Sequence, residues 1–240
     1  MSDVADDLGE FCRLAWSRTS SLRRAICDHP FNLALADGSL GERKLLFYIS
    51  QDTRYLKGCA RALSMAAVRA PDSEASEFFT QNALETVAVE RTFHRPELER
   101  LAPGQNPADL MATSPTCLAY ISFLEAAAFI EVWPVLVAAL LPCFWVYHEA
   151  GQAVLSKVTD LASHPHRTWL AGYASEAAGN LVGPACRIAD DAAATASAPT
   201  VGHMLGTFTR AAEYEWLLLD SAWRLEEWPT ARFLEESTVQ

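Results

Sequence analysis

Apolar residues recur about every 3.6 positions along nearly the whole chain, and almost no stretch alternates them every second position. That period restricts the fold to packed α-helices. Leu8, Phe11, Cys12, Ala15 and Trp16 form the first apolar stripe, which predicts a helix running toward Cys27 until Asp28, His29 and Pro30 stop it. Phe31 to Ala36 makes a short turn of helix, and Asp37, Gly38 and Ser39 make a turn whose serine caps a long helix over about 42–69. The next helix, capped by Ser73, spans about 74–94 and stops before Pro96; Pro103, Gly104 and Pro107 mark a surface loop. Ser114 followed by Pro115 opens a helix to about Ile130. Another starts at Pro134 and reaches about Ala162. His164 and Pro165 open one that continues through the Ala-rich stretch to about Ala196. The last long helix covers about 200–225, with a short one after Pro229. No internal repeat or low-complexity linker interrupts the pattern. The expectation is one all-α domain over residues 1–240.

The 240 residues are 50% hydrophobic, enough to bury a substantial core. The net charge of -11, with Lys and Arg scattered, leaves no basic face to collect phosphates, so no nucleic-acid partner is expected. The opening residues MSDVADDLGE are acidic and polar where a signal peptide is basic and then apolar, which points to the cytoplasm. Cysteines at 12, 27, 59, 117, 143 and 186 form no CxxC pair and no zinc-type spacing with histidine; reduced thiols and no metal site are expected. The longest run free of both charged residues and histidine, Val132 to Tyr147, is shorter than the roughly 20 residues of a membrane span and reads as a buried core helix.

Within that run the segment LLPCFWVYHEAG, from Leu140 to Gly151, places Cys143 directly after a proline inside a helix, where one backbone hydrogen bond is missing. Cys143, Tyr147 and Gly151 are spaced i, i+4, i+8, on one helix face. Taken alone, a cysteine in such a helix is more often packed core than a reactive group. Four carboxylates also sit among apolar neighbours at helical spacing: Asp52, Glu125, Glu149 and Glu215. Burying a carboxylate is costly without a partner, and each taken singly reads as one paired with an arginine on another helix.

Several chemistries lack a starting point. No GxSxG, phosphate loop or GxGxxG is present. A di-metal bundle needs a Glu-x-x-His pair from each of two helices, whereas only Glu90 and His94 come near, at i, i+4, and read as a solvated or outer contact. His29, His164, His166 and His203 do not converge by sequence.

The order of five blocks gives the remaining groups a common context: HPFNLALADGSLGERKLLFYISQD, SPTCLAYISFL, AALLPCFWVYHEAG, TWLAGYASEA and RAAEYEWLLLDSAW. In their order and spacing, which take in most of the chain, they resemble the TenA (thiaminase II) family. The resemblance implies a heme-oxygenase-like helical bundle, assembled as a homotetramer, with an aminopyrimidine pocket in each subunit and no metal or organic cofactor. It implies Cys143 as the nucleophile that adds to the pyrimidine ring and Glu215 as the acid/base residue. Asp52 then holds the ring nitrogen and exocyclic amine, while Tyr55, Tyr120, Tyr147 and Tyr173 stack on the substrate or orient the thiol and carboxylate. The implied reaction is hydrolysis of 4-amino-5-aminomethyl-2-methylpyrimidine to the hydroxymethyl compound in thiamine salvage, with cleavage of thiamine as a related activity.

Two departures from the family pattern bear on the pocket wall. Arg54 stands where an aromatic residue is common, and Leu217, Leu218 and Leu219 follow Trp216 where more aromatics are usual. Trp223 and Trp228 near the end are expected to be exposed, in keeping with assembly. The alternative is a non-catalytic binding protein for a thiamine-precursor pyrimidine, and the retained Cys143 and Glu215 argue against it because binding needs no thiol. A regulatory protein lacks the basic surface such a role requires.

Overall fold

The computed structural model describes residues 8–105, 111–173 and 181–235. Among them the chain is helical, with no strand: α1 (Glu10–Arg18), α2 (Ser20–Cys27), α3 (Pro30–Asp37), α4 (Glu42–Arg69), α5 (Ser73–Val89), a π-helical turn (Glu90–His94), α6 (Arg95–Leu101), α7 (Pro115–Ile130), α8 (Trp133–Leu155), α9 (Arg167–Tyr173), α10 (Val182–Ala194), α11 (Ala198–Arg224) and α12 (Ala231–Glu235).

Three long helices set the frame. α8 packs most extensively against α11 and also against α10, while α4 is flanked by α5 and α7. α8 is long and apolar enough to cross a membrane by length and composition, yet 61% of its most apolar window is buried inside the molecule. It is the central core helix, and Val135 to Leu141 are all shut off from solvent. Two apolar clusters result. One is built on Phe11, Leu63, Phe79, Tyr120, Leu124, Leu140 and Phe208. The other is built on Phe31, Leu35, Ile49, Leu98, Val146, Leu170 and Ala212. Because α4, α8 and α11 contribute to both, the seam between the clusters is bordered by the three best-anchored helices.

Close approach at two glycines fixes how these helices meet. A methyl group at Gly58 would lie 2.6 Å from Ile121 Cγ2, so α4 and α7 touch where no side chain fits between them. A methyl group at Gly151 would lie 2.9 Å from Tyr173 Cδ1, so the gap on the Cys143 face of α8 is filled by the Tyr173 ring.

The structure departs from the sequence expectation at identifiable places. The first helix is broken at Thr19, whose hydroxyl donates to the Ala15 carbonyl at 2.9 Å and competes with the helical ladder. Asp72, not Ser73, caps α5, accepting from Ala75 N at 2.8 Å, and α4 starts after Gly41 without any side-chain cap from Ser39. Pro96 does not end its helix: the chain widens into the π-turn just before it and continues as α6. Widening relieves the clash between the proline ring and the carbonyl four residues back. α8 stops at Leu155 instead of Ala162, because Asp160 accepts from Ala162 N and from the Ser163 hydroxyl and folds that segment into a turn. The helix expected from His164 starts at Arg167, and part of its predicted course, 174–180, lies outside the described residues.

The two exposed-looking carboxylates find their arginines. Arg61 pairs with Glu125 at 2.5 Å, and Arg23 pairs with Glu149 at 2.5 Å while stacking on Trp16, which itself stacks on Trp145 at 3.7 Å. Trp228 is exposed as expected, but Trp223 is half-buried beneath the Lys44 ammonium, 3.1 Å from the ring centre.

Docking of α1 depends on one residue about 180 positions away. Asp190 on α10 accepts from the backbone N–H of Gly9 at 2.8 Å and of Cys12 at 3.0 Å, capping a helix that has no capping side chain of its own. Asp190→Ala is therefore expected to cost about 1–2 kcal/mol of stability, visible as a lower thermal midpoint and as loss of amide-exchange protection in α1 before the rest of the molecule opens.

Candidate active site

α4 presents Tyr48, Asp52, Tyr55 and Cys59 at intervals of one turn, a single face. α8 presents Cys143 and Tyr147, α11 presents Glu215 and Leu218, the π-turn contributes Phe93 and His94, and α9 contributes Trp169; together they wall a cavity of about 410 Å³ at the seam between the two clusters. That volume is in the usual range for a small-molecule site. Asn82, Glu85 and Thr86 of α5 border its other end.

Of the seven residues singled out from the sequence, Asp52, Tyr55, Cys143, Tyr147 and Glu215 line this cavity. Tyr120, on α7, stands behind the wall and is fully buried. Its hydroxyl donates to Glu215 Oε1 at 2.6 Å and lies 3.6 Å from Cys143 Sγ, so it bridges the carboxyl and the thiol. Tyr173 backs Tyr147, with ring centres 5.5 Å apart, and with Glu215 and Tyr147 lines a small void beside the main cavity. Burial pushes the Tyr173 phenol up to about 12, so it stays a neutral donor or acceptor.

Cys143 sits in a ring of hydrogen-bond donors. Cys59 lies within hydrogen-bonding reach, the Tyr55 hydroxyl donates to its sulfur at 2.9 Å, and Tyr120 adds a third polar contact. These contacts, Cys59 first, outweigh burial and hold the Cys143 thiol below the ordinary cysteine range. Glu215 moves the other way. Removal of its carboxyl from water, then the negative charge of Cys143, raises it well above the usual carboxylate range even though Tyr120 donates to it. The two shifts run in opposite directions, so a proton shared between the groups is favoured on the carboxyl over the thiol. The short path runs through the Tyr120 hydroxyl.

Asp52 is organised separately. Its Oδ2 lies 3.1 Å from His94 Nε2. The Thr53 hydroxyl donates to the Ile49 carbonyl at 2.8 Å, so its oxygen accepts from His94 Nδ1–H at 2.9 Å. His94 thus faces Asp52 through Nε2 and ties that carboxylate to the π-turn. The His94 ring stacks on Trp169 at 5.3 Å, which fixes its plane.

His94, Trp169, Tyr48 and Cys59 are the site residues that sequence reasoning passed over. Tyr48 and Cys59 carry a readable signal, one turn before Asp52 and one turn after Tyr55. His94 is only 1% exposed, where the sequence suggested a solvated contact; nothing local indicates that the chain turns it inward at the π-turn. Arg54 leaves the cavity: its guanidinium reaches the carbonyls of Ser50 and Met111. Among the three leucines after Trp216, only Leu218 borders the cavity. No group of three His, Cys, Asp or Glu side chains converges among the described residues in the manner of a metal site.

Comparison with known proteins agrees with this architecture. The family model described as TENA/THI-4/PQQC matches residues 16–225. The chain is similar to "Thiamine biosynthesis multifunctional protein ThiED" of Corynebacterium efficiens, 37% identical over 190 residues that make up 79% of this chain, although it spans only 25% of that longer protein. It is 26% identical to "Aminopyrimidine aminohydrolase" of Bacillus subtilis over 86% of this chain and 87% of that one. Among solved structures, a TenA homologue from P. horikoshii OT3 superposes with a TM-score of 0.78 at 27% identity, covering 89% of this chain and 98% of that one. A heme oxygenase-like domain from Shewanella denitrificans superposes with a TM-score of 0.68 at 14% identity, covering 90% of this chain and 93% of that one, so the bundle is of the heme-oxygenase-like type.

If hydrogen bonding holds the Cys143 thiolate, Tyr55→Phe should slow alkylation of Cys143 by iodoacetamide at neutral pH. One hydrogen bond to a charged group contributes about 1.5–3 kcal/mol, so the expected loss is about tenfold or more. Cys143 should also be the first of the six cysteines to react in the unaltered protein; unchanged reactivity in the variant would remove the donor role of Tyr55.

Proposed function

Because the chain belongs to the TENA/THI-4/PQQC family, we propose that it is an aminopyrimidine hydrolase of the thiaminase II type, acting on 4-amino-5-aminomethyl-2-methylpyrimidine and releasing ammonia. The observation that carries this reading is the Cys143, Tyr120, Glu215 cluster, with its depressed thiol and raised carboxyl facing one cavity. A non-catalytic pyrimidine-binding protein needs no such pair.

The chemistry follows from the parts. A 5-aminomethyl pyrimidine resists direct displacement by water, since ammonia is a poor leaving group and the ring does not assist. Asp52 accepts from the exocyclic amine and holds the adjoining ring nitrogen through a proton placed between them, with His94 fixing the carboxyl. Cys143 then adds as thiolate to the ring, forming a C–S bond and shifting the ring electrons so that the exocyclic C–N bond breaks. Glu215 gives its proton to the departing amine. Water adds to the exposed methylene carbon, loses a proton back to Glu215, and expulsion of the Cys143 thiolate restores the aromatic ring. Tyr55 and Tyr120 keep the sulfur charged between additions. Tyr147 supplies the aromatic wall against which the ring stacks, and Tyr173 supports it from behind.

Kinetics separates the roles. Cys143→Ser should abolish ammonia release while calorimetry still registers uptake of the hydroxymethyl product. Glu215→Gln should lower kcat by about 10²–10⁴-fold, and Asp52→Asn should raise KM by about 10–100-fold with a smaller effect on kcat. The pH profile has a definite sign: activity needs Cys143 ionised and Glu215 protonated, so it falls at low pH as the thiolate takes a proton and at high pH as Glu215 loses one. The glutamine variant should lose the alkaline limb. Wild-type turnover from Cys143→Ser would sink the mechanism and leave the binding protein as the better account.

The same reading carries a cytoplasmic homotetramer acting in thiamine salvage. Exposed Phe129, Ile130 and Val132 at the α7–α8 corner are apolar surface that assembly would cover. Light scattering at micromolar concentration tests it, and a monodisperse monomer would remove the assembly without touching the chemistry.

A further inference from the structure

The mechanism uses Cys59 only as a neighbour that lowers the Cys143 thiol, yet Cys59 carries a second thiol in the same cavity. We propose that Cys59 and Cys143 form an oxidation site: a hydroperoxide that enters the cavity converts this thiol pair into a reversible disulfide that closes the site.

Three observations place the pair together. Both sulfurs belong to residues lining the one large cavity, so a small oxidant and both thiols share the same space. Cys59 follows Tyr55 by one turn of α4, and the Tyr55 hydroxyl is already 2.9 Å from Cys143 Sγ, which aims the face of α4 that carries Cys59 at the α8 sulfur. α4 and α8 pack directly on each other, so side-chain rotation has only a short gap to close. The ionisation is also apportioned. The Cys143 sulfur is held toward its charged form by hydrogen bonds, first of all from Cys59, while the same contact and burial push Cys59 up. Cys143 is thereby the more readily ionised of the two, and Cys59 the thiol that keeps its proton.

The steps balance. The Cys143 thiolate attacks the outer peroxide oxygen, an S–O bond forms, the O–O bond breaks, and the departing alkoxide or hydroxide takes a proton; sulfur is oxidised by two electrons and the peroxide reduced by two. Cys59 then attacks that sulfenic sulfur. The S–S bond forms, the S–O bond breaks, and oxygen leaves as water with the Cys59 proton. Two thiols and one hydroperoxide give one disulfide, one alcohol or water, and one water.

A second thiol pair in the same molecule provides the comparison. Cys12 and Cys186 also lie in hydrogen-bonding contact, but both are buried, neither borders the cavity, and the contact with Cys186 together with burial pushes Cys12 far up. Proximity alone is therefore present twice, and proximity with access to the cavity once.

The test is thiol counting and peptide mapping after limited hydrogen peroxide, which needs no assumption about the hydrolysis. The expected result is loss of two of the six titratable thiols, a peptide joining α4 to α8 through Cys59 and Cys143, and full recovery with dithiothreitol. Any ammonia-releasing activity should fall in proportion to the crosslinked fraction. In Cys59→Ala, or Cys59→Ser if alanine destabilises the fold, Cys143 should pass on to sulfinic acid and dithiothreitol should no longer restore the thiol. Sulfinic Cys143 in the unaltered protein with Cys59 still free to alkylate would overturn the proposal. So would an unoxidised Cys143, or a crosslink between Cys12 and Cys186 in its place. Failure of the disulfide leaves the hydrolase reading intact, and inactivity toward pyrimidines leaves the disulfide intact.

Discussion

The structure turns on a thiol and a carboxyl bridged by one phenol. A carboxylate in an apolar wall is costly unless something compensates, and among the described residues no salt bridge reaches Glu215; its partner is the Tyr120 hydroxyl at 2.6 Å. Burial and the neighbouring Cys143 raise the carboxyl, while polar contacts from Cys59, Tyr55 and Tyr120 lower the thiol. Remove any of these contacts and the thiol rises. Tyr55 and Tyr120 also stack at 4.7 Å, and Tyr120 stacks again on Tyr214 at 5.0 Å, so the donors are fixed by aromatic packing and not by hydrogen bonds alone.

Position follows from helix geometry. Asp52, Tyr55 and Cys59 share one face of α4 because they are separated by three or four residues, and Cys143 and Tyr147 share one face of α8 for the same reason. The two faces meet at the seam between the apolar clusters, where neither side has enough apolar bulk to fill the space. Gly151 lets Tyr173 press against α8 behind Tyr147, and Gly58 lets α7 approach α4 closely enough for Tyr120 to reach both Glu215 and Cys143. The cavity is the volume these contacts leave over.

The helical class and most boundaries were legible because the 3.6-residue period is a local property: Pro115–Ile130 fell where its cap and proline signals put it, and Glu42–Arg69 kept its expected bounds although Ser39 does not cap it. The α4 face of the site was legible for the same reason, since Asp52 on an apolar stripe announces a buried carboxylate. Glu125 and Glu149 carried a similar signal and became arginine-paired, the first at the surface and the second against the largely buried Arg23, on helices that local spacing cannot place. Thr19 and Asp160 broke helices through side-chain hydrogen bonds that depend on a competition too close to read from propensity.

His94 shows where local reading ends. By sequence it belongs to a helix that Pro96 should terminate, one turn after Glu90 on what looks like a solvated face. In the fold, the proline clash is relieved by a π-turn, and the extra residue in that turn changes which side chains face inward from it. His94 is carried into contact with Asp52, Phe93 into the cavity wall, and the chain resumes as α6. The same change accounts for Thr53, whose hydroxyl would otherwise simply bond back along α4 to Ile49 and here also takes the proton of His94 Nδ1. A proline that seemed to end an element is thus what brings a second titratable group to Asp52, so the surroundings of that carboxylate depend on winding about forty residues away as well as on its own helix.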